Sequence, residues 1–368
     1  MSETETISKK EFPCEKCGGK LEFAPGQERI KCVYCGHEQD IPGVDTDFSA
    51  SEYDLEEALK NAKTIDSSAL ADAAHEVRCD GCGAVSVMTE QSDRCPFCGS
   101  PVVVENNAES VIVPESLLPF KVEQKEASGI FKGWLKSLWF APGDIMRRAQ
   151  QKGMDGIYLP YWTYDANTHT SYSGQRGEYY YTTETYTDSE GNEQTREVRH
   201  TEWYNTSGTV KVDFDDILVC ASKSLPHDLI DELEPWDLED LKQYNSAFLS
   251  GFVTERYKVD LEEGYGIAKE KMDGPIRESI RRDIGGDEQR INSMNVDYSD
   301  TTYKHLLLPL WISSFRYSEK VYRFVINART GELSGERPWS WIKITLASIA
   351  GAGVLGGIFY ALKQGGVF

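Results

Sequence analysis

Eight of the nine cysteines in this 368-residue chain fall into two quartets, each made of two Cys-x-x-Cys pairs. Fourteen residues separate Cys14 and Cys17 from Cys32 and Cys35, and twelve separate Cys79 and Cys82 from Cys95 and Cys98. Four thiolates at about 2.3 Å close a tetrahedral shell around Zn²⁺. Each pair is followed by glycine, at Gly18, Gly36, Gly83 and Gly99. Such a knuckle turns backbone N–H groups toward sulfur, and glycine accepts the positive φ that the turn can need. Four thiolates leave no position for water, so the ion is structural and folds a module too small to build its own core. Two zinc ions are expected, one per quartet. Iron in a rubredoxin-like four-sulfur site is the main competitor, and disulfides come third.

Other chemistry is sparse. His37 follows the fourth cysteine in the run CGHE, but the shell is already complete, so a solvated or backbone-bonded imidazole is expected. Cys220, in LVCAS, reads as a buried and inert thiol at a strand end. There is no GxxxxGK[ST], HExxH or GxSxG, the six histidines are scattered, and no carboxylate pair is marked out. No enzymatic activity is expected. Arg277, Arg281 and Arg282 cluster on a helical segment, most simply as a solvated face. Gly351, Gly353 and Gly356 satisfy GxGxxG, yet neither the strand nor the acidic residue that a dinucleotide site requires accompanies them.

Charge bears on partners. Aspartate and glutamate total 60 against 39 lysine and arginine, a formal net charge of −21. A protein that grips a nucleic-acid backbone must neutralise several phosphates. Residues 1–40 carry six basic and eight acidic side chains, and the second quartet has Arg78 and Arg94 against Asp80, Glu90 and Asp93. Neither module offers a basic face, so protein partners fit better than nucleic acid. The 40% hydrophobic and 11% aromatic content supplies a packed core.

The elements that hold these groups divide the chain. Residues 1–43 form a first zinc ribbon, 44–76 an acidic and partly helical linker, and 77–104 a second ribbon. Residues 105–338 form a β-rich α+β domain. In it, GIFKGWLKSLWF places Ile130, Phe131, Trp134, Leu135, Leu138 and Trp139 at helical spacing, a stripe that either faces a core or lies on a membrane. Residues 157–221 suit strands with a turn near Gly191, residues 225–284 are helical in texture, and strands return from 288 with a turn at Gly331. LPYW at 159–162 echoes LPLW at 308–311. Two related β meanders would explain the echo, with Pro160 and Pro309 at strand starts or edges and Trp162 and Trp311 as core anchors.

Residues 339–363 hold a transmembrane helix with its flanks, and 364–368 a short tail. Ile344 to Leu362 is uncharged. At about 1.5 Å per residue it spans roughly 28 Å, close to the hydrocarbon thickness of a bilayer. Trp339, Trp341 and Tyr360 are placed as interfacial aromatics, and Lys343 and Lys363 bracket the span. A buried core helix is the alternative. Gly353 and Gly357 form a GxxxG pair that lets two helices approach, a contact for a homo-oligomer. The N-terminal stretch MSETETISKKEFPC lacks an apolar region after its charges, so no signal peptide is expected and the cysteines stay reduced.

Paired CxxCG knuckles, LLPF, YLPYW, KHLLLPLW and INARTGELSGERP, followed by a C-terminal span, resemble the bacterial TFIIB-type double zinc-ribbon membrane proteins, the YdjG-like group. Members are often labelled primosomal replication factor Y or superfamily II helicase, but the missing Walker motif does not support a helicase. The resemblance implies a membrane-anchored scaffold working with SPFH or phage-shock-type envelope proteins. The reading is a multidomain α+β protein, tail-anchored and single-pass in the inner, cytoplasmic membrane. Its two Cys₄ ribbons at Cys14, Cys17, Cys32 and Cys35 and at Cys79, Cys82, Cys95 and Cys98 face the cytoplasm and dock membrane or membrane-associated proteins. The alternative is a nucleic-acid-binding accessory factor that reads through the ribbons.

Overall fold

The computed structural model describes residues 13–41, 48–61, 75–79, 85–88, 95, 97, 103–105, 114–149, 153–187, 189, 191–317 and 320–364. Near the N-terminus β1 (Leu21–Ala24), β2 (Arg29–Cys32) and β3 (Glu38–Asp40) form a small antiparallel sheet. β4 (Tyr53–Asp54) and α1 (Leu55–Asn61) follow, then β5 (His75–Arg78), β6 (Val85–Met88) and β7 (Val103–Glu105). The α+β domain runs through β8 (Ser116–Leu117), α2 (Gln124–Ser137), α3 (Ile145–Ala149), β9 (Asp155–Thr187) and β10 (Glu193–Cys220). It continues with α4 (His227–Asp231), β11 (Lys242–Gln243), β12 (Val253–Glu255), α5 (Leu261–Ile284), β13 (Glu288–Tyr317), β14 (Lys320–Asn327) and β15 (Leu333–Gly335), before α6 (Trp341–Gln364). All strands from β4 onward belong to one 12-stranded, mostly antiparallel sheet.

Three long strands dominate that sheet. β9 pairs with β13 on one side and β10 on the other. At about 3.3 Å per residue the 33 residues of β9 reach roughly 110 Å. Side chains of β9 are buried continuously from Ile157 to Ala166, alternate to Tyr172, and are largely exposed beyond Glu178. Burial on both faces near the base explains a run such as IYLPYWTY, which has no apolar–polar alternation. Along α5, Ala268, Met272, Ile276, Ile280 and Ile284 recur every four residues and are buried in one cluster with Trp162, Tyr164 and Tyr172 of β9. Gly264 permits this approach, because an added Cβ would run into Tyr164 Oη and the Trp162 ring.

The two LPxW segments lie side by side. Leu159 of β9 stands opposite Leu308 of β13, and matching contacts recur on either side of this pair. Trp162 Nε1–H donates to Val259 O at 2.9 Å, and Trp311 Nε1–H donates to Val122 O at 2.9 Å. Each acceptor immediately precedes the N-cap of a helix, α5 or α2. The Ala221 and Ala328 amides donate to Pro160 O and Pro309 O at 2.9 and 3.1 Å. The carbonyl of Ala221 accepts from Lys258 and Val259, and that of Ala328 from Lys121 and Val122. β12 runs parallel to β9 at Ile157, and β8 runs parallel to β13 at Leu306. The sequence around the helix starts follows the same relation, with FKVE at 120–123 against YKVD at 257–260, and GIFK at 129–132 against GIAK at 266–269.

Pro160 and Pro309 are buried inside long strands rather than at starts or outer edges. Proline cannot donate to a ladder. Each one faces a gap between neighbours: Pro160 lies where β10 ends at Cys220 and β12 ends its pairing at Tyr158. Pro309 lies where β14 ends at Asn327 and β8 pairs at Leu307. The helical texture of 225–284 resolves into the short α4, 3₁₀ turns at Leu238–Asp240 and Ser246–Leu249, and the long α5. α5 continues through Pro275, since its apolar stripe is anchored on both sides of that residue.

The indole hydrogen bonds make a symmetric expectation. Trp162→Phe and Trp311→Phe each leave a buried carbonyl without its donor and should each destabilise the chain by about 1–3 kcal/mol. Urea unfolding of the detergent-solubilised protein tests this; a neutral effect at either position would break the equivalence.

Candidate metal centre

The first quartet flanks the small sheet: Cys14 and Cys17 precede β1, Cys32 ends β2 and Cys35 lies on the β2–β3 connection. Cys14 Sγ lies 3.6 Å from Cys35 Sγ, and Cys17 Sγ lies 3.5 Å from Cys32 Sγ. All four sulfurs fall within 4.8 Å of one another. A disulfide would bring sulfurs to about 2.05 Å, whereas a tetrahedron with metal–sulfur bonds of about 2.3 Å has edges of about 3.8 Å. The quartet therefore fits a metal and not a pair of disulfides. Cys14 and Cys32 are buried, while Cys17 and Cys35 are exposed, so one side of the cluster faces the protein and the other water.

The knuckles are built as the spacing predicts. Gly18 and Gly36 both sit at φ +70°, and their amides donate to Cys14 O and Cys32 O at 2.7 and 3.0 Å. The backbone N–H groups of Cys35 and Tyr34 lower the Cys32 thiol to about 7 against the opposing effect of burial. At Cys17 the N–H of Gly19 acts in the same direction, but the Cys35 and Cys32 thiols outweigh it and the group is raised to about 12. Four thiols packed this closely cannot all ionise by themselves; a bound cation removes the repulsion. Gly19 is the knuckle residue that spacing alone does not single out. A Cβ there would stand 2.6 Å from the Tyr34 ring and 3.3 Å from Cys17 Sγ, so a larger residue would have to displace the Tyr34 ring and crowd the sulfurs. His37 offers its backbone carbonyl to the Cys32 amide at 2.8 Å and is not part of the cluster.

The quartet is fastened to the α+β domain. Leu21, Phe23 and Ile30 share one buried cluster with Leu117, Phe120, Phe248 and Trp311. Phe23 lies 5.3 Å from the Phe248 ring, and Phe120 stacks on Phe252 at 3.9 Å. The Phe23 amide donates to Ser250 O, Ser250 Oγ donates to Leu21 O at 2.6 Å, and the Gly26 amide donates to Phe120 O at 3.0 Å. The ribbon's outer face keeps Val33 and Tyr34 in water.

In the second quartet Cys79 and Cys95 are buried beside Phe97 and Leu118. Cys82 and Cys98 lie outside the described residues.

Glu52, Asp165 and Asp215 also approach one another closely enough to share an ion. A cation is already present there. Lys304 Nζ, nearly buried, lies 2.8 Å from Asp216 Oδ1, 3.3 Å from Glu52 and 3.9 Å from Asp165. Burial works against the ammonium, but the hydrogen bond it donates to Asp216 and the surrounding carboxylates prevail and raise its pKa. Asp165 also accepts from the Asp216 amide at 2.5 Å, at a bulge where β10 leaves its register with β9. The cluster is an ion network at two strand irregularities, this bulge and the register shift of β13 between Ser299 and Thr302, where Thr302 Oγ1 donates to Asp165 at 2.8 Å. Cys220 is buried and raised to about 12 by desolvation. It borders an open cleft of about 410 Å³ with His227, Asp231 and Lys271, and Lys271 is engaged by Leu218 O and Asp231. Arg277 and Arg281 pair with Asp273 and Glu278 on their own helix, as a solvated face would.

At the other end, α6 passes the length and composition needed to cross a membrane. Its window Trp341–Ile358 has a mean hydropathy of 1.5, and none of it is buried in the protein. The alternative of a core helix is thereby not the arrangement found. Gly351, Gly353 and Gly356 lie inside this helix, away from any phosphate-binding turn.

The chain is distantly related to the uncharacterized protein YdjG of Bacillus subtilis (strain 168), with 26% identity over 353 residues that cover 96% of each chain. No family model matches it. No solved structure matches it.

Cys14→Ser should remove about one metal equivalent per chain, measured by elemental analysis, because three thiolates and a weak hydroxyl no longer close the shell. Unchanged metal content would show that the first quartet holds none. Lys304→Met should cost about 1–3 kcal/mol in urea unfolding at neutral pH, since it leaves the buried Asp165 and the half-buried Asp216 uncompensated while Glu52 stays in water. Asp165→Asn in the same background should recover part of that loss.

Proposed function

We propose that this protein is a membrane-anchored zinc-ribbon scaffold that docks protein partners at the cytoplasmic face of the inner membrane. The observation that carries the reading is α6, an apolar helix with no part of its spanning window covered by the protein. Exposed to water, such a surface would cost about 25 cal/mol for each Å² left unburied, and a bilayer relieves that cost. The sulfur geometry at Cys14, Cys17, Cys32 and Cys35 supports a closed zinc site with a structural role. By its own two Cys-x-x-Cys-Gly knuckles, the second quartet, Cys79, Cys82, Cys95 and Cys98, is proposed to hold a second zinc in the same way.

The paired contacts about Leu159 and Leu308 support a finer reading of the large domain. We take it as a duplicated unit of strand, helix and two strands, β8–α2–β9–β10 and β12–α5–β13–β14, whose copies share one sheet. Such a frame holds interaction surfaces rigidly. The net charge of −21 favours protein partners over nucleic acid. The resemblance to double zinc-ribbon membrane proteins points to SPFH or phage-shock-type envelope proteins as the class of partner.

Membrane fractionation with protease protection tests this. The full chain should resist carbonate extraction. Protease should destroy the ribbon and domain in inverted vesicles and spare them in intact spheroplasts. Recovery in the soluble fraction would overturn the anchor, and digestion in spheroplasts would overturn the orientation.

A further inference from the structure

The connection between α2 and α3, residues 138–144, opens with a turn in which the Ala141 amide donates to Leu138 O at 3.1 Å. Leu138 and Ala141 are buried in the core that α2 covers, and this grip turns the two residues between them outward. Trp139 is 82% exposed and Phe140 37%. The stripe on α2 itself is used internally: Ala127, Phe131 and Leu135 are buried, and Phe131 stacks on Phe324 at 3.6 Å. Trp139 thus departs from the core stripe in which spacing places it.

The loop is fastened to the first turn of α6. The Ser340 amide donates to Phe140 O at 2.7 Å. Lys343 Nζ donates to Trp139 O at 3.2 Å and to Ala141 O at 2.8 Å. Trp339 and Trp341 are also exposed, and the Arg337 guanidinium lies 4.2 Å over the Trp339 ring. Four large aromatic side chains, from two distant parts of the sequence, therefore gather where the apolar helix begins.

Charge is distributed to match. Residues 130–149 carry Lys132, Lys136, Arg147 and Arg148 against a single acid, Asp144, within a chain of formal net charge −21. Basic residues next to a span are attracted to anionic lipid by about 1 kcal/mol each, and tryptophan prefers the headgroup level, where its ring is buried and its N–H stays wet.

We propose that Trp139 and Phe140 form a second membrane contact, inserted at the headgroup level of an anionic phospholipid surface beside α6, so that the α+β domain is seated on the bilayer. This rests on the reading of α6 as a membrane span. Seating at two points, the loop and the helix, fixes how the domain is presented, whereas a helix alone would act as a tether.

The test is photocrosslinking of the full chain reconstituted in vesicles of phosphatidylethanolamine and phosphatidylglycerol. p-Benzoylphenylalanine is placed singly in the variants Trp139→Bpa, Ile349→Bpa in α6, and Tyr181→Bpa in the exposed far part of β9. All three side chains are more than half exposed, so the substitutions leave the core intact. Lipid adducts at 139 and 349 should both exceed those at 181 by about tenfold. Adducts at 349 with only background at 139 would overturn the seated loop and leave the anchor standing. Background at both positions would overturn the anchor and the loop together.

Discussion

Two prolines in the middle of a sheet constrain most of this structure. Pro160 and Pro309 cannot donate to a neighbouring strand, so each creates a break in the partner it faces. The sheet answers both breaks in the same way. A long strand ends, a short one begins, and an alanine amide donates to the proline carbonyl. The connection leaving that alanine returns a carbonyl to the residues that open the opposite helix, and a tryptophan two residues beyond each proline fixes the same helix start with its indole. Placement of α2 and α5, and with them both sides of the core, follows from how the β9–β13 seam copes with these missing donors.

The metal quartet is connected to that seam. Trp311 touches Phe120 edge-on at 5.0 Å, Phe120 stacks on Phe252, and Phe252 lies 6.3 Å from Phe23 of the ribbon. A four-thiolate site contributes folding energy to whatever it is packed against. With a metal bound, that would include the aromatic cluster over the seam as well as three short strands. Burial of Cys14 and Cys32 against the domain, with Cys17 and Cys35 in water, leaves a protein-facing and a solvent-facing side. A ligand exchange or chelator therefore meets the site from the Val33–Tyr34 side.

Much of the site was legible before any coordinates. Cysteine spacing and the following glycines specify the knuckles because tetrahedral sulfur geometry and positive φ are local requirements, met within a few residues. The need for glycine at Gly19 was not legible, since it arises from Tyr34 and the sulfurs across the site. The LPxW echo was visible, but its register was not; opposition of Leu159 and Leu308 depends on pairing over 149 residues, which no local pattern encodes. Two-sided burial removed the alternation that marks a strand, and four-residue spacing carried α5 through Pro275, although an interior proline removes a helical hydrogen bond. Trp139 followed helical spacing yet left the core, because the helix ends at Ser137 and the loop beyond it is turned by contacts with α6.

Charge is where global and local arguments diverge. The total of −21 describes the whole chain, but electrostatic forces at a surface fall off over about 10 Å in salt. At the start of α6, Lys343 is held by the Trp139 and Ala141 carbonyls and Arg337 lies over the Trp339 ring, and both have the sign that an anionic bilayer attracts. The acidic remainder is repelled by the same surface. On the proposed seating, attraction at the loop and repulsion elsewhere would act together as a torque, favouring one face of the domain on the membrane and holding the far part of β9 and β10 away from it. An acidic protein can in this way gain orientation from a membrane whose charge it shares, provided basic residues lie beside the anchor.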